Sequence, residues 1–361
     1  MKVTSCFRPI APTTSGGLFS TYVRRTANFA WGKYLQNTVR MSSTSNNRGD
    51  LNNNSVLRKP VQEFLPDPAW AHRSLAVPEK HDDGDVRAQY RPFLLTQDVA
   101  DEDWISKLEL STAVRMASAE FERTGERLKI LVLYGSMRGR SYSQLLSYEG
   151  SRILWRLGCD VRVYTPSGLP IKDDVQHDHP KVQELRELSK WSDGHVWVCP
   201  EQHGTITAVF KNQIDWIPLS TGSVRPTQGR TLAIAQVNGG SQSFNTVNQL
   251  RQLGRWMRMF TIPNQSSVPM AYKQFTDAVD KNDENVYRQA EGGSRMMPSG
   301  NRDRLVDCME ELVKYTILMR QHFDLFNDRF SEREDKRRKE EEARKKAEES
   351  DSVNGVNVKS M

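Results

Sequence analysis

Cysteine is scarce in this sequence, and its spacing excludes two common kinds of site. The four cysteines, Cys6, Cys159, Cys199 and Cys308, are widely separated, and no Cys-x-x-Cys pair occurs among them. A zinc site and a disulfide-stapled scaffold are therefore not indicated, and we expect a reducing compartment. The chain also has no apolar run that approaches the ~20 residues of a membrane-spanning helix. We accordingly expect no metal site and no membrane partner.

Acidic residues are missing from the first 49 positions, which contain seven Lys or Arg residues. Subtracting these seven charges from the net charge of +6 leaves −1 for the rest of the chain. Proteins that bind nucleic acid concentrate basic residues on the folded surface that binds, so we expect no nucleic-acid partner. The basic, Ser-rich segment 1–58 is typical of an organelle transit peptide, with a disordered N-terminus or a start at Met41 as alternatives. We expect a cytoplasmic location, or a mitochondrial or plastid one if this segment directs import.

Composition divides the 361 residues into four segments. Segment 1–58 is the basic leader. Segment 59–126 has scattered prolines and apolar residues, which predict an arm that packs on its own core or on a neighbouring subunit. Segment 127–329 alternates apolar strand-like runs with helical patterns, which predicts one α/β domain. Segment 330–361 is a tail dominated by charges of both signs, which predicts a solvated helix or disorder.

Within segment 127–329, apolar runs and helical periodicity predict a regular alternation of strands and helices. The predicted strands are Lys129–Tyr134, Asp160–Tyr164, Gly194–Cys199, Thr231–Val237 and Met259–Ile262. The predicted helices are Ser141–Leu157, Lys181–Trp191, Ile206–Trp216, Ser243–Arg258 and Arg304–Phe326, with shorter ones in the arm at Asp101–Lys107 and Thr112–Arg123. Gly292–Asn301 reads as a flexible surface loop.

Five near-continuous apolar strands separated by helices predict a parallel sheet that is covered on both faces. Because crossover connections are right-handed, only a few doubly wound strand orders are possible. The sequence therefore predicts a flavodoxin-like α/β fold, with a five-stranded parallel sheet of order 2-1-3-4-5 and an N-terminal arm. Ligands of such sheets bind at the carboxyl ends of the strands, where the strand order reverses.

The segment between the first predicted strand and the first long helix is rich in hydroxyls, glycine and arginine. Ser136, Ser141 and Ser143 supply hydroxyl groups at a helix N-terminus, where backbone N–H groups and the helix dipole attract anions. Arg138 adds a planar guanidinium that can donate two hydrogen bonds to a phosphate, whereas Arg140 is interpreted as a solvated or interface residue. The loop lacks both a Walker A sequence and a dinucleotide glycine pattern. It predicts a phosphate site of the FMN type, with an ordinary N-capped helix as the alternative.

Two further glycine-containing loops follow the third and fourth predicted strands. They are Pro200-Glu-Gln-His-Gly204 and Gly239-Gly-Ser-Gln-Ser-Phe244. Glycine lets a backbone approach a flat ring closely, and donors at the polar edge of a flavin stabilise its reduced form. Since the carboxyl ends of parallel strands lie at one edge of the sheet, we expect all three loops to meet there.

The string Tyr134-Gly-Ser-Met-Arg-Gly-Arg-Ser-Tyr-Ser143 resembles the phosphate loop of the NADPH-dependent FMN reductase superfamily. Gln213–Leu219, Val224–Arg230, Gly239–Asn245 and Thr261–Pro269 look like its ArsH branch, and the resemblance covers roughly residues 88–322. It implies bound FMN, with these contact residues: Ser136, Arg138, Ser141, Tyr142, Ser143, Pro200, Glu201, Gln202, His203, Gly204, Gly239, Gly240, Ser241 and Gln242.

The same resemblance implies an enzyme activity. NADPH would pass hydride to bound FMN, and the electrons would go on to small-molecule acceptors such as oxygen, quinones, azo dyes and metal species. A role in arsenic resistance, through oxidation of trivalent organoarsenicals, and a homotetramer are also implied. No protein side chain is expected to be catalytic, because the flavin performs the chemistry.

Two other interpretations remain open from the sequence. One is an FMN-binding electron carrier of the flavodoxin type without its own NADPH turnover. Such carriers dock through a strongly acidic face, and the near-neutral charge outside the leader argues against one. The other is a scaffold or regulator whose function lies in the charged tail. The isolated cysteines favour redox conversion of arsenicals over their capture, because trivalent arsenic prefers two or three thiolates.

Overall fold

The structure is a computed structural model that describes residues 74–100, 102–218, 226–276, 294–327 and 329–357. The predicted basic leader and the first part of the predicted arm lie outside the described residues. The described part of the arm packs on the core of its own chain, because Leu75, Val77, Phe93 and Ile105 are buried in the same apolar cluster as the strands.

The strands form one parallel sheet, and the predicted strand order is confirmed. They are β1 (Lys129–Tyr134), β2 (Asp160–Tyr164), β3 (Gly194–Pro200), β4 (Thr231–Val237), β5 (Phe260–Thr261) and β6 (Ser266–Val268). The order is β2-β1-β3-β4-β5, and β6 also pairs with β4, beyond the end of β5. The fold is therefore flavodoxin-like, with β5 and β6 sharing the fifth position.

The fifth predicted strand, Met259–Ile262, is the one that differs most from the structure. It is shorter than predicted, and pairing with β4 resumes only at Ser266. Ile262 still donates its backbone N–H to the carbonyl of Leu232 at 2.9 Å. The ladder is interrupted directly afterwards, because the next N–H that would face β4, that of Asn264, donates instead to the carboxylate of Glu311 at 3.0 Å.

The helices are close to the predicted ones. They are α1 (Gly84–Tyr90), α2 (Gln97–Ala100), α3 (Ser111–Thr124), α4 (Tyr142–Arg156), α5 (Pro180–Trp191), α6 (Ala208–Trp216), α7 (Asn245–Trp256), α8 (Gly300–Arg320) and α9 (Phe330–Asn357). The predicted arm helix at Asp101–Lys107 is instead a 3-10 turn, Trp104–Lys107, in which the carboxylate of Asp103 accepts the N–H of Ile105. In the described chain, no helix combines the length and apolar character that a membrane crossing needs.

The two faces of the sheet pack into two separate apolar cores. Ile130 and Val132 of β1 belong to the core formed with α3, α4 and α8. Leu131 and Leu133 belong to the core formed with α5, α6 and α7. Because alternate residues of a strand point to opposite faces, β1 is buried on both sides. The layers of helix, sheet and helix leave the carboxyl ends of the strands as the open edge.

The prediction of a flexible surface loop over residues 292–301 is wrong for its central part. Arg295 is buried and donates to both carboxylate oxygens of Glu149, at 2.8 and 3.0 Å. It also contacts Asp103 at 2.7 Å. Met296 is buried and pairs with Phe275. The segment is held because the internal carboxylates need a cationic partner, and α8 already begins at Gly300.

The charged tail forms α9, and its described side chains are mostly exposed. Oppositely charged residues three or four positions apart form ion pairs along it, including Arg337 with Glu334 and Arg344 with Glu348. This agrees with the first of the two states predicted for the tail, a solvated helix. Exposed pairs of this kind each contribute at most about 0.5 kcal/mol.

Candidate functional site

A cleft of about 730 Å³ lies at the carboxyl ends of β1, β3 and β4. Nine of the fourteen residues predicted to contact a cofactor line it: Ser136, Arg138, Ser141, Tyr142, Ser143, Pro200, Glu201, Gln202 and Gly239. The other five, His203, Gly204, Gly240, Ser241 and Gln242, belong to the same loops but are outside the cleft lining. The volume falls in the range of small-molecule and cofactor sites, and the three predicted loops do meet at one edge.

The hydroxyl groups of Ser141 and Ser143 form a pair at the start of α4. Their oxygens are 3.0 Å apart, and both residues are buried although they line the cleft. Ser141 is the N-cap, because its hydroxyl accepts the N–H of Gln144 at 3.2 Å. The N–H groups of Tyr142 and Ser143 lie in the first turn, where a helix provides no carbonyl partner. A capped helix and an anion site are therefore compatible here, and the donors fit a phosphate ester.

The backbone at Gly135 is enclosed by the start of α6 and the end of β3. Thr207 donates its hydroxyl to the carbonyl of Gly135 at 2.6 Å and accepts the N–H of Phe210 at 3.2 Å. A Cβ atom at residue 135 would lie 3.0 Å from atoms of Phe210, Pro200 and Thr207. Glycine is therefore required here by close packing, and it lets the chain turn from β1 into the cleft.

Two arginines of the loop after β1 lie at the cleft, in different surroundings. Arg138 is exposed, and one of its terminal nitrogens lies 3.5 Å from the side-chain oxygen of Gln202. Arg140 is half-buried, donates to the carbonyl of Thr276 at 2.8 Å and to the hydroxyl of Tyr142 at 3.2 Å. Arg138 is thus available to an anion in the cleft, whereas Arg140 holds the chain that follows β6.

The loop after β3 contains a tight hairpin turn. Gln202 and Thr205 exchange two backbone hydrogen bonds of 3.0 and 3.1 Å. The two residues between them, His203 and Gly204, have φ values of 53° and 73°. Positive φ at both central residues is characteristic of a type I′ turn. The turn accounts for Gly204, and the ring contact predicted for His203 and Gly204 stays a prediction.

Sequence reasoning missed several residues that line the cleft: Gly135, Met137, Arg140, Thr207, Val209, Val237, Asn238, Ala271 and Tyr272. Tyr272 reaches the cleft because Met270 turns the chain with a φ of 45° directly after β6. No local pattern signals this, since the position depends on β6 pairing with β4. The position of Arg140 could have been predicted, because it belongs to the same arginine-containing loop as Arg138.

In the described chain, Cys199 and the two histidines that precede α5, His177 and His179, have separate structural surroundings. Burial raises the pKa of the Cys199 thiol to about 11, and its sulfur lies 3.8 Å from the hydroxyl oxygen of Thr207. His179 caps α5, and the ring of His177 packs against Trp216. Across the described ranges, no group of three His, Cys, Asp or Glu residues is arranged to hold a metal ion.

Comparisons with known proteins agree with this geometry. A family model described as NADPH-dependent FMN reductase matches residues 128–273. A protein of Rhizobium meliloti (strain 1021) named NADPH-dependent FMN reductase ArsH is 57% identical over 209 residues, which are 58% of this chain and 80% of the relative. One of Shigella flexneri with the same name is 49% identical over 236 residues, 65% of this chain and 87% of the relative. Among solved structures, the Paracoccus denitrificans flavoenzyme FerB is 14% identical with a TM-score of 0.37, covering 54% of this chain and 97% of that one.

Proposed function

The chain belongs to the NADPH-dependent FMN reductase family, in its ArsH branch, and we propose that it binds FMN in the cleft with the phosphate at the start of α4. The observation that carries this placement is the hydroxyl pair of Ser141 and Ser143, which is buried at a helix N-terminus and yet lines the cleft. NADPH is the reductant of the family, and a small molecule is the final electron acceptor.

Several residues of the loop after β1 and of the start of α4 contact the phosphate in this proposal. The hydroxyl of Ser136, the one hydroxyl of the Ser141–Ser143 pair that does not donate to the other, and the first-turn N–H groups of α4 donate hydrogen bonds to its oxygens. Arg138 offers its guanidinium from the exposed rim and balances the charge of the dianion. These groups lie in place before the cofactor arrives, because N-capping and packing around Gly135 fix the loop.

Bound FMN would supply the hydride and electron chemistry, so the contribution of the protein is binding and orientation. Hydride transfer requires two rings to stack and needs no protein acid or base. Val209 and Val237 add apolar lining inside the cleft, and Met137 and Tyr272 expose apolar surface at its rim. These side chains exclude water from the ring faces and leave room for the nicotinamide.

We assign oxidation of trivalent organoarsenicals to pentavalent forms as the cellular role, with oxygen as the terminal acceptor. This is the role that the resemblance of the sequence to the ArsH branch implies. The cysteines of the described chain, Cys159, Cys199 and Cys308, are all buried and unpaired by disulfides. Burial raises the pKa of each thiol, to about 11 for Cys199 and about 12 for Cys308. Neutral, separated thiols do not capture arsenic, so conversion of a transient substrate fits better.

A homotetramer is the second part of the proposal. Trp256, Phe260 and Leu318 expose large apolar surface, and the ring of Phe260 packs against Tyr315 of α8. Apolar surface of this kind is typical of interfaces between subunits. Light scattering coupled to size-exclusion chromatography measures the assembly directly, and a monomeric mass would contradict it.

Anaerobic reduction by NADPH tests the enzymatic proposal. The FMN-loaded protein should lose its visible flavin absorption on addition of NADPH alone, and NADH serves as the comparison. A protein that bleaches only with an added reductase would be an electron carrier of the flavodoxin type instead.

Reoxidation of the reduced protein tests the acceptors and the arsenical role. Oxygen and quinone should restore the absorption, and methylarsenite added under oxygen should appear as a pentavalent product. If methylarsenite changes neither the rate nor the product, the arsenical role is wrong while the reductase activity stands.

A further inference from the structure

Glu201 joins the loop after β3 to the loop after β4. Its backbone N–H continues the ladder by donating to the carbonyl of Val237 at 2.8 Å. Its side chain reaches across the cleft wall, where one carboxylate oxygen accepts the hydroxyl of Ser243 at 2.7 Å. The same oxygen accepts the side-chain amide of Gln236 at 3.3 Å. The carboxylate is thus the point at which two cofactor loops meet.

Ser243 connects Glu201 to the start of α7 through hydrogen bonds. Its hydroxyl accepts the N–H of Asn245 at 3.3 Å, and its carbonyl accepts the amide of Gln236 and the hydroxyl of Ser267, both at 2.7 Å. Gln236 also accepts the N–H of Val247 at 2.8 Å. These bonds satisfy N–H groups of a helix whose own N-cap residue has no capping side chain. The negative charge at this end of α7 is favourable to the helix dipole.

The side chain of Glu201 constrains the loop after β4 and is not needed to hold β3 in the sheet. The end of β3 is already fixed by seven paired positions along β4, so the carboxylate contributes nothing necessary to the sheet. It constrains residues 238–244, which are mostly exposed and whose two glycines have open space around them. The chain after β6 also holds this loop, through the N–H of Met270, which donates to the carbonyl of Gly240 at 3.0 Å, and through Ser267. Glu201 is the contact that holds the loop from the side of β3.

We propose that Glu201 is a positioning residue that sets the separation of these two loops through Ser243, and so shapes the edge of the cleft that receives the flavin ring. This inference rests on the proposed function for the identity of the ligand. The role differs from that of a direct ring contact, because it is exerted through Ser243. It also differs from that of a base, because the engaged carboxylate oxygen already accepts two hydrogen bonds.

Four variants test the proposal: Glu201→Gln, Glu201→Ala, Ser243→Ala and the double variant Glu201→Ala with Ser243→Ala. Asp174→Asn is the matched control, because it removes one charge from a fully exposed carboxylate. FMN binding to the cofactor-free proteins is measured by quenching of flavin fluorescence. Hydrogen–deuterium exchange at the amides of Asn245 and Val247 is measured without FMN.

The alanine variants should each weaken FMN binding about tenfold, which corresponds to about 1.4 kcal/mol. The double variant should be no weaker than the weaker single variant, because both remove the same contact. Glu201→Gln should stay within about threefold of the parent, since its amide oxygen still accepts from Ser243. Amide exchange should accelerate at Asn245 and Val247 in Glu201→Ala and remain slow in Glu201→Gln and in the control.

Two results overturn the proposal. A double variant whose loss is the product of the two single losses shows that the residues act independently. A Glu201→Gln variant as weak as Glu201→Ala shows that charge, and not the bond to Ser243, is what matters. If the unaltered protein fails to bind FMN, the proposed function fails, and the exchange measurement still decides whether Glu201 holds the loop.

Discussion

Among single residues, Gly135 occupies a position where close packing restricts the residue type. The Gly135→Ala variant places a Cβ 3.0 Å from three neighbours that belong to β3, α6 and the residue that caps α6. The Cβ of Phe210 and the ring Cδ of Pro200 are held close to the backbone and cannot rotate aside, so we expect the free energy of unfolding to fall by about 1–3 kcal/mol. Urea unfolding followed by circular dichroism measures the loss.

Gly139→Ala is the matched control for this variant. It lies in the same loop, and a Cβ there meets no atom within 4 Å. Its free energy of unfolding should stay within about 0.5 kcal/mol of the parent value. Equal losses in the two variants would mean that the packing around Gly135 is not what fixes the loop.

Which site residues could be predicted depended on whether their role is local. Ser141 and Ser143 were predictable, because an N-cap and the first turn of a helix can be recognised from a few consecutive residues. Thr207 and Tyr272 were not, because each reaches the cleft through contacts with distant parts of the chain. The type I′ turn at His203 and Gly204 shows a further limit of prediction from sequence. A glycine in a loop is compatible with a close ligand contact and with a tight turn, and the sequence does not distinguish the two.

At the scale of elements, the pair of Glu149 and Arg295 fastens the segment before α8 to α4. Burial alone would raise the pKa of Glu149, but the guanidiniums of Arg295 and Arg152 outweigh it and hold the pKa below its ordinary value. The stabilisation from this carboxylate is therefore complete above the unfolded pKa of ~4.3. It is lost as the pH falls through the lower pKa of the folded state.

The Glu149→Gln variant should lose about 3 kcal/mol of unfolding free energy at pH 7, because it removes the buried carboxylate that Arg152 and Arg295 share, while Asp103 still contacts Arg295. The difference from the parent should shrink as the pH falls below ~4.3, where the parent loses the same charge. Chemical denaturation across that range measures it. The half-buried pair of Glu187 and Lys190 on α5 supplies the control, since Glu187→Gln should cost under about 1 kcal/mol. A gap between parent and Glu149→Gln that stays constant with pH would contradict this account.

The charged helix α9 gives a second prediction at this scale. Its ion pairs are exposed, so salt should screen them and reduce the helix content of the tail. The circular dichroism difference between the full chain and a chain ending at Arg329 isolates the tail. That difference should decline from low salt to about 1 M salt, where the Debye length is about 3 Å. A tail signal that grows with salt would point to hydrophobic packing instead.

Elements were predicted well where a single physical pattern determines them. Strands β1 and β4 have the predicted bounds, because each is a mostly apolar run between turns, which is typical of a buried strand. Strand β2 also has the predicted bounds, although two of its five residues, Asp160 and Arg162, are charged. The strand predicted at Met259–Ile262 is shorter because the N–H of Asn264 donates to Glu311 of α8, a contact with a distant part of the chain that no local pattern shows. Residues 294–296 were misread as a surface loop because the sequence does not show that Glu149 lies opposite Arg295.

For the whole molecule, strand order follows from the alternation of elements and determines where the site lies. The switch in direction between β1 and β3 opens the edge at which three loops meet. The family follows from sequence identity with the ArsH relatives, and fold alone would not supply an activity. Charge belongs to this scale too, because the excess of basic residues lies in the first 49 positions and not in the rest of the sequence.

The affinity of FMN for the Arg138→Glu variant tests the central claim most directly. The exposed guanidinium is proposed to contact the phosphate, so reversing its charge should weaken FMN binding at least thirtyfold, about 2 kcal/mol. Riboflavin, which lacks the phosphate, should bind the variant and the parent about equally well. An FMN affinity that does not change in Arg138→Glu would show that the phosphate is held elsewhere and would contradict the account.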